Sequence, residues 1–222
     1  MIAEPDVALT DYALFVESVL FCFWIYARNR SHPLTRWFLL LFGSIALASA
    51  FGGTVHGFLT NPQSPVSRAF WYAAMILLGL TALSEFGIAA RMSFAPRAAK
   101  FVIVAALAIF GLYVVTVLFW NAEFRLAILD YLVGLVFLSV AFVYAYAHTR
   151  EASIALGVLG LVLTVVASVL QQARVSPHPR YFNHNALYHL LQAIALFFIY
   201  RAARHLVTVL PPPAADDRKP PA

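Results

Sequence analysis

Charge is what this sequence has least of. Asp, Glu, Lys and Arg make up 11% of its 222 residues, against 62% hydrophobic residues and a mean hydropathy of +0.81, whereas soluble domains carry roughly 25% charged residues. That shortage excludes an ordinary soluble domain and leaves an integral membrane protein. Cysteine is almost missing too: Cys22 stands alone, so there is no intramolecular disulfide and no multi-cysteine metal site. Lysine occurs only as Lys100 and Lys219, both outside the long apolar runs. A retinal photoreceptor, which needs a Schiff-base lysine inside its last helix, is thereby excluded. No internal repeat is evident, and no apolar run is broken at its midpoint by the Gly/Pro pairs found in many transporters.

What is there is a succession of apolar segments, each about the 20 residues that cross a bilayer as a helix. They fall at 9–28, 37–59, 69–90, 101–120, 125–147, 152–172 and 185–207. Runs such as "FVIVAALAIFGLYVVTVLFW" lack the alternation of a barrel strand. The sequence therefore predicts an all-α, polytopic bundle of seven transmembrane helices over 9–208, preceded by a short segment 1–8 and followed by a Pro-rich, disordered tail 209–222.

Arg28, Arg30, Arg36, Arg91, Arg97, Lys100, Arg150, Arg201, Arg204, Arg218 and Lys219 all belong to one side of such a bundle. The acidic start (Glu4, Asp6, Asp11) and the loops with Arg68, Arg125, Arg174 and Arg180 belong to the other. The positive-inside rule then places the N-terminus outside and the C-terminus in the cytoplasm. These cations read as topology determinants, not as a nucleic-acid surface. The opening "MIAEPDVALT" has acidic residues where a signal peptide has basic ones, so no cleaved signal is expected. Abundant alanine and the preference for Arg over Lys imply a GC-rich bacterial source, hence an inner membrane with the outer side facing the periplasm.

Ionisable groups inside hydrocarbon are the default functional candidates. Here they are Glu17, His56, Glu85, Asp130 and His189, with Asp11 and His184 at the margin. At about 1.5 Å per residue, His56 lies about 5 Å deep from the outer end, Asp130 and His189 about 6–8 Å and Glu17 about 12 Å. Glu85 is counted to the opposite end of its segment, on the order of 20 Å away, and is left out of the cluster. In "SAFGGTVHG", Ser49, Gly52, Gly53 and His56 form one helical stripe that must pack closely against a neighbour. Thr164, Ser168 and Gln171 form another. In "RYFNHNALYHLLQ", Asn185, His189 and Gln192 share a face, and the asparagines of "FNHN" are candidate helix caps. His184 is five residues before His189, about 140° around a regular helix. It joins His189 only if it lies in a non-helical lead-in that folds back.

Imidazoles from different helices with a nearby carboxylate suit zinc, which takes about four N or O donors and keeps one position for water when catalytic. His56, His189 and His184 are the candidate ligands, with Asp130 or Glu17 as the acid that orients water or takes its proton. Ser49, Gln171, Asn185 and Gln192 are the candidates for holding these groups in place. The expected chemistry is zinc-dependent hydrolysis of a lipid that reaches the site from the bilayer. The alternative is a non-catalytic seven-helix protein, structural, receptor-like or a transporter, with a degenerate or absent metal site. A transporter would use Glu85 and Asp130 as a relay at two depths.

Seven helices, a small-residue stripe ending in histidine on the second, and "HNALYHLLQAIALFFIY" on the seventh resemble the superfamily of alkaline ceramidases and progestin and adipoQ receptors. The resemblance implies zinc held by His56 and by histidines of the seventh helix on the N-terminal side, an assisting carboxylate, and hydrolysis of a ceramide-like lipid amide. Three positions depart from the family pattern. Gly52 stands where the family has a serine four before the histidine, Asn185 where it has the first histidine of H-x-x-x-H, and the acid near the start of the third helix is missing from "QSPVSRAFWY".

Overall fold

The computed structural model describes residues 2–178 and 181–209. Arg180 and all of the expected tail beyond Val209 lie outside the described residues. Among the described residues the fold is all-helical, with seven helices: α1 Pro5–Asn29, α2 Thr35–Phe58, α3 Pro65–Ser93, α4 Pro96–Phe119, α5 Phe124–Thr149, α6 Ala152–Gln172 and α7 His184–Val209. All seven are long and apolar enough to cross a membrane.

Most helices begin earlier or end later than their apolar runs. α1, α3 and α4 start on Pro5, Pro65 and Pro96, where a residue without an N–H is at no disadvantage, because that position has no intrahelical acceptor. α1 thus starts within the expected leader segment and buries Val7 and Ala8. The link into α7 is pinned by His178 and Phe182, whose backbones exchange two hydrogen bonds of 3.1 and 2.9 Å. Asn183 caps α7, its Oδ1 accepting from the N–H groups of Asn185 at 2.8 Å and Ala186 at 3.1 Å.

Successive packing of α1, α2, α3, α5, α6 and α7, with α7 returning to α1, closes a ring of six helices. α4 stands outside it, held to α3 and α5 by a small cluster of Met75, Tyr113, Val117 and Ala127. The main core, with Phe38, Phe42, Leu138, Phe142 and Leu206 fully or almost fully buried, draws on the six ring helices alone. It fills the end of the ring where α1 finishes and α2 begins. At the other end, where the N-terminus lies, the ring stays open around a cavity. Outward faces carry Val16, Phe23, Leu112, Val133, Val140 and Val162 exposed, as a lipid-facing surface requires.

At the α6–α7 seam the two backbones approach closely. A Cβ on Gly160 would fall 2.6 Å from the Ala195 carbonyl oxygen, a backbone atom that cannot move aside alone. Gly160→Val should therefore cost about 1–3 kcal/mol and lower the midpoint of thermal unfolding in detergent. An unchanged midpoint would show that the seam is looser than described.

Candidate functional site: a polar-mouthed cavity in the helix ring

The cavity encloses about 210 Å³ and is lined by all six ring helices. Its mouth is built from α1, α2 and α7. Asp11, 5% exposed, stands against the stripe of small residues on α2. A Cβ on Gly53 would come within 2.9 Å of the Asp11 Cβ, and one on Gly52 within 3.3 Å of Asp11 Oδ2. The close neighbour that the stripe demands is thus α1, and the glycines leave room for a carboxylate.

Across from this contact, Asp11 Oδ1 faces His189 Nε2 at 3.4 Å. The other ring nitrogen, Nδ1, lies 3.1 Å from Thr10 Oγ1, with the Val7 carbonyl also in reach. The Thr10 hydroxyl donates to the carbonyls of Asp6 at 2.8 Å and Val7 at 3.0 Å, so it faces His189 as an acceptor. In the tautomer with the His189 proton on Nδ1, toward Thr10 Oγ1, the Nε2 lone pair points at a carboxylate oxygen; in the other, the Nε2–H faces Asp11. In the first tautomer two acceptors face each other, and something positive, a proton or a metal cation, must lie between them. Two ligands of a tetrahedral zinc, each about 2.0–2.1 Å from the ion, would stand close to that distance from one another.

His56 lines the same mouth and interacts electrostatically with His189. Its Nδ1 pairs with Glu4 Oε2 at 3.2 Å, the carboxylate–imidazole arrangement that supports metal-ligating histidines. Glu4 is placed there because the backbone N–H groups of Ala3 and Glu4 donate to the carbonyls of Gly57 and His56. The donor set Asp11, His189 and His56 thus fits zinc in kind, and Asp11 with His189 also in spacing. Among the described residues no three His, Cys, Asp or Glu side chains are gathered as closely as a complete ligand set would be.

The cavity brings together most of the residues expected from the sequence, though not all. His56, His189, Ser49, Gln171, Asn185 and Gln192 line it. Gln171 Nε2 donates to Asn185 Oδ1 at 3.1 Å, and Gln192 Nε2 reaches Thr164 Oγ1 at 3.4 Å. His184 does not line it: α7 is helical from His184 onward, so the ring points away from His189's face. Glu17 does not line it either, and its Oε2 is buried without a hydrogen bond. Asp130 also lies off the cavity, although it interacts electrostatically with Glu85 and Tyr113. The carboxylates at the mouth are those of Asp11 and, beside His56, Glu4, and among the described residues the histidines lining it are His56 and His189. Glu85, set aside by the count along its helix, does line the cavity. So do Tyr131, which hydrogen-bonds Ser168, and Tyr188, which interacts with Tyr131.

This chain belongs to DUF6962, a family of unknown function. The family model matches residues 7–208, a span that holds every cavity-lining residue and leaves Glu4 outside. No curated protein and no solved structure matches the chain. Within this DUF6962 member the Asn183 cap fixes the first turn of the helix that carries Asn185 and His189. Asn183→Ala should cost about 1 kcal/mol and raise amide exchange at the start of α7 first. Exchange that rises evenly over the whole bundle would argue against a local cap.

Proposed function

We propose that this protein is a multi-pass membrane hydrolase acting on a lipid amide, with its reaction centre at the Asp11–His189–His56 mouth and the lipid chain lying in the cavity. The observation that carries the proposal is His189 Nε2 standing 3.4 Å from Asp11 Oδ1, at the head of a cavity whose walls include Leu14, Ile45, Leu78, Leu135, Leu161 and Leu196. The resemblance to the alkaline ceramidase superfamily points the same way. Zinc is the proposed cofactor, with Asp11, His189 and His56 as its donors; bound there, it would polarise the substrate carbonyl and lower the pKa of water toward 7.

The chain's own side chains supply the remaining roles. Thr10 and Glu4 hold the two imidazoles through Nδ1. Glu4, the carboxylate outside the donor set, takes a proton from the attacking water. The water oxygen bonds to the carbonyl carbon, the carbon–nitrogen bond breaks, and the proton passes to the departing amine. Asn185, fixed by Gln171, is placed to hydrogen-bond the polar head. The cation-rich helix ends at the opposite side support an outer position for the mouth, facing the periplasm in a bacterial inner membrane.

A second reading has its own support. Both ring nitrogens of His189 have partners within the protein, and a proton shared with Asp11 would complete them. The cavity would then bind a lipid without reacting with it, as a receptor-like protein does.

Metal content separates the two. Protein purified without chelator should carry about one zinc per chain, lost in His189→Ala and Asp11→Ala, and should release fatty acid from a panel of ceramides and N-acyl amines. His56→Ala should lower that release by at least two orders of magnitude. Metal-free wild type that binds the lipids intact would support the second reading and end the first.

A further inference from the structure

We propose that the cavity has a second polar subsite at its deep end, built on Glu85, which accepts a hydrogen bond from a hydroxyl at the far end of the bound lipid chain. Glu85 is 4% exposed, lines the cavity, and its Oε2 has no hydrogen-bond partner. A buried carboxylate oxygen left unpaired is costly, and in hydrocarbon more so. Its position is nonetheless built for. A Cβ on Gly134 would fall 2.6 Å from Oε2, so this glycine of α5 leaves the space the carboxylate occupies. Asp130, one turn earlier on α5, acts on Glu85 only through space and contributes nothing to the lining.

The level of Glu85 relative to the mouth follows from α2. Gly52 stands at Asp11, while Ser44, eight residues away and about 12 Å along the helix, hydrogen-bonds Thr81 at 2.9 Å. Glu85 is one turn beyond Thr81 on α3, with its side chain tilted back toward the helix N-terminus and so toward the mouth. The two polar ends are therefore about 12–18 Å apart. Between them Ile45, Ala48, Leu78, Leu135 and Leu196 offer hydrocarbon. Gln192 Oε1, below His189, is a second acceptor without a partner.

A ligand matching this lining has a polar head, an apolar middle and a hydrogen-bond donor at its end. The deep end has no lining cation to pair with an acidic ligand group, and its free atoms are acceptors. A terminal hydroxyl satisfies Glu85 in either protonation state, so ω-hydroxylated acyl chains are the class we assign.

This inference rests on the proposed function only in taking the lipid head to lie at the mouth. The test is binding of non-hydrolysable ketone analogues of N-dodecanoyl amides to the purified full-length protein in detergent. Three chains that differ only in ending in methyl, hydroxyl or amine would be compared. The hydroxyl-ended chain should bind about tenfold or more tighter than the methyl-ended one. The advantage should vanish in Glu85→Leu and persist in part in Glu85→Gln. Equal binding of the methyl- and hydroxyl-ended chains to wild type overturns the subsite and leaves the mouth chemistry standing. A preference for the amine alone overturns it in favour of a cation site. Failure of all three to bind overturns both this inference and the placement of the lipid in the cavity. The wild-type comparison decides the matter even if Glu85→Leu does not fold.

Discussion

Asp11 pressed onto Gly52 and Gly53 is the contact on which the open end of the bundle depends. A carboxylate one turn and a half inside an apolar helix is expensive unless it is met by a donor or a cation, and almost no solvent reaches it here. The glycines let α1 approach α2 closely enough to shelter it, and α7 brings His189 to its other side. With α1 held between α2 and α7 in this way, the three helices cannot close over one another at their polar ends. Leu14, further along α1, lines the cavity instead of plugging it.

The same constraint explains why, among the described residues, the cavity has a floor but no lid. At the opposite end the ring helices meet through phenylalanines and leucines that interdigitate, and Gly157 lets Phe142 close against α6. At the open end the contacts are instead polar and of fixed length. They include Glu4 with His56, Thr10 with His189, Asp6 accepting from the Asn183 N–H at 2.9 Å, and Tyr12 with Thr54 at 2.9 Å. Hydrogen bonds set separations that dispersion contacts would otherwise collapse. α4, outside the ring and apolar on nearly all sides, is free of these demands and, beyond its small cluster with α3 and α5, adds to the apolar outer surface.

Much of the site was legible because helical spacing carries across a membrane helix unchanged. The stripes Ser49–Gly52–Gly53–His56, Thr164–Ser168–Gln171 and Asn185–His189–Gln192 each turn at least part of their polar face to one cavity. Asn183 caps α7, as the "FNHN" lead-in implied. The reach of the cavity was legible less well. Counting along α3 set Glu85 far below the outer groups, and it does lie deep, but a single cavity runs from Asp11 down to it, where Gly134 of α5 makes room for its carboxylate. Asp11 stood only at the margin of the candidates because near the start of an apolar run it reads as interfacial, until α1 is found to begin at Pro5 and to carry it below the rim.

By itself, then, the sequence determined the class of protein, the number of helices and the faces they turn inward. Hydropathy and the 3.6-residue period are properties of each segment alone. Which inward-facing groups meet was decided only in the folded ring. Asp11 rather than Asp130 or Glu17 stands by His189, His184 is turned aside by the regularity of α7, and Glu85 is exposed to the cavity by a glycine on another helix. Helix order, axial offset and the backbone separation that a glycine permits are relations between segments, and only packing sets them.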